Sequence, residues 1–143
     1  MTELPSIESV VIKLEVNQQQ LLYIRMSISG AVSRAGDGSP EEAAFVFMGR
    51  TDQPFLESWL DQLSPDMMEM TGRYTFPNPQ GDHCVLSITL EGPDTDTGFE
   101  FTYGSLSDGP PEDIIELVEA AMDITDEWYA EQKNSRRQNR KKG

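Results

Sequence analysis

Residues Glu112–Gln132 read EDIIELVEAAMDITDEWYAEQ. At 100° per residue, Ile114, Leu117, Val118, Ala121, Ile124, Thr125, Trp128 and Tyr129 fall within about 140° of arc. Glu112, Glu116, Glu119, Asp123, Asp126 and Glu127 fall within about 100° on the opposite side. This separation predicts an amphipathic helix. One flank needs an apolar surface to cover, and the other needs water or a cationic partner.

The surface to be covered is written upstream with period two. In VVIKLEV (10–16), Val10, Ile12, Leu14 and Val16 alternate with Val11, Lys13 and Glu15. Alternation with β-branched residues reads as a half-buried strand. After the polar gap NQQQ, Leu22, Ile24, Met26 and Ile28 repeat the pattern, so a hairpin is predicted. HCVLSITLEG (83–92) and FEFTYGS (99–105) flank PDTDTG and predict a second hairpin. The apolar run AAFVFMG (43–49) predicts a central strand. SRAGDGSP (33–40) reads as a loop, and Tyr74 and Phe76 permit a short edge strand in a Pro-rich connector.

Between these strands, Phe55, Leu56, Trp59, Leu60 and Leu63 recur at helical spacing, with Thr51 or Asp52 available as a cap and Pro54 in the first turn. Ser64-Pro65-Asp66 opens a further turn or two, ending at Gly72. The order β-β-β-α-β-β-α predicts an α+β fold. Its mainly antiparallel sheet of about five strands carries two amphipathic helices on one face. Residues 1–132 form a single domain, and 133–143 form a basic tail with no apolar residue, read as flexible.

The charge is uneven. The chain of 143 residues has a net charge of −14. Six of its eleven Lys and Arg residues lie in the last eleven positions, leaving five basic against twenty-five acidic side chains in the first 132. An acidic body repels phosphate backbones and favours basic partners. Nucleic acid is therefore left only to the tail, through Arg136, Arg137, Arg140, Lys141 and Lys142. No aromatic is interleaved there as a stacking platform. Two further readings of the tail are cations suited to the helix's negative end and a bridge to its own acidic body or to another copy. No apolar run approaches the roughly 18–20 residues of a membrane span. MTELPSIES lacks the features of a secretory signal, and one cysteine cannot make an internal disulfide. A cytoplasmic location is expected.

No cofactor, metal or catalytic residue is indicated. His83 and Cys84 are adjacent, so on a strand they point to opposite faces. Asp94-Thr-Asp96-Thr-Gly98 departs from a calcium loop: the glycine comes one place early and Ser105 stands where a glutamate is needed. No phosphate loop or nucleophile elbow is present. From Glu112 to Gln132 there is no Lys or Arg. Like charges at Glu112–Glu116 and Glu119–Asp123 cost a few tenths of a kcal/mol each. Candidate partner-binding residues are Glu112, Glu116, Glu119, Asp123 and Asp126, with Trp59, Met67 and Met68 as an adaptable apolar patch.

In size, acidity and want of catalytic residues, the chain resembles bacterial immunity proteins and antitoxins in general character. Those proteins bind a toxin domain, often through carboxylates that engage a basic cleft. The likeness implies a small protein-binding module that neutralises a basic partner. Two other classes stay open: a self-associating scaffold subunit, and a small enzyme or ligand binder with a site between sheet and helix.

Overall fold

The computed structural model describes residues 7–36, 46–76, 80–93, 96–106 and 109–142, and side chains throughout these except Pro65 and 136–142. Its strands are β1 (Ser9–Val16), β2 (Gln19–Ser27), β3 (Ala31–Ala35), β4 (Phe47–Arg50), β5 (Gly72–Thr75), β6 (His83–Glu91) and β7 (Asp96–Gly104). Its helices are α1 (Phe55–Leu60) and α2 (Glu112–Lys142). The strands form one sheet in the order β4-β3-β2-β1-β6-β7-β5. Five neighbouring pairs run antiparallel; β5 lies parallel to β7.

Both predicted hairpins are present. Asn17 and Gln18 turn β1 into β2 with φ of 51° and 69°, the left-handed pair that matches the twist of the strands. The inward alternation holds: Val10, Ile12, Leu22, Ile24, Met26, Leu86, Ile88, Leu90, Phe99 and Phe101 are all buried. Onto them α2 sets Ile114, Leu117, Val118 and Ala121. Each fully buried side chain of this kind contributes roughly 1.5–3 kcal/mol of transfer free energy. α1 has only six residues and no side-chain cap, so packing must hold it. Leu56 and Trp59 are buried, and Trp59 Nε1 donates to the Leu117 carbonyl at 2.9 Å. Thr51 does not cap the helix; its hydroxyl accepts from Gln53 N. Ser64 does cap the 3₁₀ turn Pro65–Met70 by accepting from Met67 N.

The sheet has seven strands and is mixed, where about five antiparallel strands were expected. One added strand is β5, the short edge strand that Tyr74 allowed, running parallel to β7. The other is β3, in a stretch of which residues 33–35 were read as loop. β3 separates β4 from β2, so β4 is an edge strand rather than a central one, with Met48 76 % exposed. Residues 43–45 of that apolar run lie outside the described residues, as do Asp94 and Thr95 of the second hairpin turn. Ile28 falls beyond the end of β2 and is exposed. α2 continues through the basic segment to Lys142. Arg, Lys and Gln are good helix formers, Gly and Pro are absent until Gly143, and cations suit a helix C-terminus.

Candidate functional site

The long helix has two unlike sides. Its outer line begins with Glu112, Glu116, Glu119 and Asp123, all exposed. The three ion pairs among the described residues are Arg25–Glu91, Arg34–Asp126 and Arg73–Glu100, and none includes any of these four. Lys13 lies over the Tyr23 ring, 5.8 Å from its centre. Four of the five cations of the first 132 residues are thus engaged away from this acidic stretch.

Asp126 continues the line differently. Its Oδ1 accepts from an Arg34 terminal nitrogen at 2.9 Å while the carboxylate side chain stays 57 % exposed. Arg34 itself is 1 % exposed. It projects from the helix-covered side of β3, where it pairs in register with Ile24 and Phe47. Its Nε donates to the Gly36 carbonyl at 2.9 Å. The nitrogen that holds Asp126 also donates to Thr125 Oγ1 at 2.8 Å and to the Met122 carbonyl at 3.2 Å. The guanidinium lies over the Tyr129 ring at 4.6 Å, and the Tyr129 hydroxyl accepts from Gly36 N. Desolvating a cation is expensive unless partners surround it, and here carbonyls, a hydroxyl, a carboxylate and an aromatic face do so.

Sequence reasoning missed Arg34 because it placed residue 34 in a loop. The trace it left is Thr125, a hydroxyl on the apolar arc of α2, beside an aspartate.

Of the apolar candidates, Trp59 is wholly buried, so it belongs to the interior and offers no surface. Met67 and Met68 are half-buried against the same core. His83 is exposed and Cys84 buried, on opposite faces as alternation requires. Burial pushes the Cys84 thiol up, with the Asp82 carboxylate adding to it; burial likewise raises the Tyr103 phenol. A raised thiol pKa disfavours the nucleophilic thiolate. Among the described residues, no three His, Cys, Asp or Glu side chains are grouped to hold a metal ion. No helix among them is long and apolar enough to cross a membrane.

The sheet face turned away from α2 carries many polar side chains among the described residues. Ser9 donates to Glu91, and a depression of about 480 Å³ lies among Arg73, Ser87, Thr89, Asp96, Gly98 and Glu100. It sits on this outer face, not between sheet and helices. Compared with known proteins, the sequence matches no family model and no curated protein.

Proposed function

We propose that this protein is a small protein-binding module whose acidic helix line docks a basic partner, with neutralisation of that partner as the sharpest form of the reading. The observation that supports it is the exposed row Glu112, Glu116, Glu119 and Asp123, which meets no cation among the described residues. Repulsion along the row costs stability, and a cationic surface would relieve it. The charge also steers a basic partner toward the line and makes association salt-sensitive.

The test compares the wild-type chain with a Glu112→Lys, Glu116→Lys, Glu119→Lys variant. Proteins captured by wild type, released by salt and lost by the variant are purified, and their binding is measured directly. The expected result is about a hundredfold loss of affinity with an unchanged circular dichroism spectrum. Equal affinity for both chains rejects the line as an interface.

A further inference from the structure

We propose that one occupant of the outer line of α2 is a second copy of this chain, held antiparallel by charge. The inference rests on the reading of that line as a binding surface and names a partner for it. Glu112, Glu116, Glu119, Asp123 and Asp126 are spaced by four, three, four and three residues. Continuing the same alternation reaches Ala130, Lys133, Arg137 and Arg140, with Arg136 and Lys141 adjacent in sequence; the Lys133 ammonium also lies 4.3 Å from the centre of the Tyr129 ring. By sequence position alone, the alternation therefore passes from acidic residues to basic ones. The backbone is helical from Glu112 to Lys142, so the line is continuous, drifting by about 20° every seven residues. Two such helices can follow each other at a shallow crossing angle of about 20°.

The continuous helix excludes the simpler pairing. Position 137 lies about 21 Å along the axis from Asp123, so the basic half cannot fold back onto the acidic half of its own chain. A parallel second copy would set carboxylate against carboxylate. An antiparallel copy sets position 112 against 140, 116 against 136 or 137, and 119 against 133, each contact occurring twice about a two-fold axis at position 126; carboxylate meets carboxylate only there, where Arg34 already pairs with Asp126. The apolar side of α2 is already buried against its own sheet, so the two sheets lie on the outside of the paired helices. Ala130 is the line's one apolar residue and is too small to anchor a contact, so the association is driven by charge. It yields when a more basic partner competes for the same carboxylates.

The full chain is examined alone by sedimentation at about 100 µM, as added salt shortens the Debye length from about 30 Å to about 3 Å. A dimer at low salt that dissociates at high salt is expected; a monomer at low salt overturns the inference. Two charge-reversed chains sharpen it. Glu112→Lys, Glu116→Lys, Glu119→Lys makes the line all basic, and Arg136→Glu, Arg137→Glu, Arg140→Glu makes it all acidic. Each alone self-associates about a hundredfold more weakly than wild type, and mixed together they form a heterodimer. A mixture that stays monomeric refutes the pairing. The all-acidic variant also separates this inference from the reading it rests on, because it keeps the carboxylates that dock a basic partner. If wild type is monomeric while that partner still binds the all-acidic chain, self-pairing alone fails.

Discussion

Along its first three turns, α2 buries Ile114, Leu117, Val118 and Ala121 against an apolar sheet face. Further along, its inner side meets a different interior: Val32, Trp128 and Tyr129 with Phe47 and Phe55, laced with Arg34 and Thr125. The first region is held by area. Apart from Trp59 Nε1, which donates to the Leu117 carbonyl, its side chains have no polar atoms to satisfy, and stability follows the amount of apolar surface removed from water. The second is held by valence. Arg34 must find acceptors at fixed angles, which ties β3 to a particular turn of α2 through Met122, Thr125 and Asp126. Even the backbone adapts there: a Cβ on Gly49 would stand 3.1 Å from Trp128 Cζ2. The difference teaches that the helix is attached to its sheet in two ways, one tolerant of adjustment and one not.

The comparison can be broken most forcefully in the apolar region. Phe101→Ala opens a cavity beside β6 and β5, where Tyr74 and Phe76 stack on its ring, and the expected loss is about 3–5 kcal/mol in urea unfolding, with an unchanged denaturant slope. A loss below about 1 kcal/mol would mean that the site collapses freely and that packing is not what holds this half. In the polar region the effect should depend on which partner is removed. Asp126→Ala strands a buried guanidinium and is expected to cost about 2–3 kcal/mol. Arg34→Met removes the charge, leaving a half-exposed carboxylate and a buried Gly36 carbonyl without their donor, fills most of the volume, and is expected to cost about 1–2 kcal/mol. Equal losses would show that the pair behaves like an exposed salt bridge. The smallest effect lies outside both regions, at the β1–β2 turn. Gln18 holds φ of 69°, which glycine adopts without steric cost, so Gln18→Gly should stabilise by about 0.5–1 kcal/mol.

Much of the aliphatic half was legible in residue order, because period two and period 3.6 are local signals. The arc from Ile114 to Tyr129 foretold the buried side of α2, Ile124 alone being half-buried rather than buried. The strands of both hairpins likewise showed their inward residues. The polar half was much less legible. AVSRA offers one apolar inward residue, Val32, and then an arginine, a pattern that reads as a turn unless Thr125, Asp126 and Tyr129 are known to wait opposite. The apolar run ending at Gly49 looked central because length and aromatic content do not say which strand lies beside it. As for the candidate site, the acidic row was visible as spacing, whereas the tie of Asp126 to Arg34 and the burial of Trp59 were not.

The sequence by itself determined the α+β class, both hairpins, the amphipathic sides of α2 and the segregation of charge along it. Each depends on neighbours within a few residues, where periodicity and turn chemistry act. Only the tertiary structure decided that β1 pairs with β6, that β3 stands between β2 and β4, that β5 joins the far edge in parallel, and that Arg34 is enclosed. The β1–β6 pairing and the enclosure of Arg34 join residues some seventy to ninety positions apart, and the edge pairings of β3 with β4 and β5 with β7 cross intervening segments that no local pattern spans. Chain closure and desolvation settle such contacts jointly across the whole fold, and no local pattern records them.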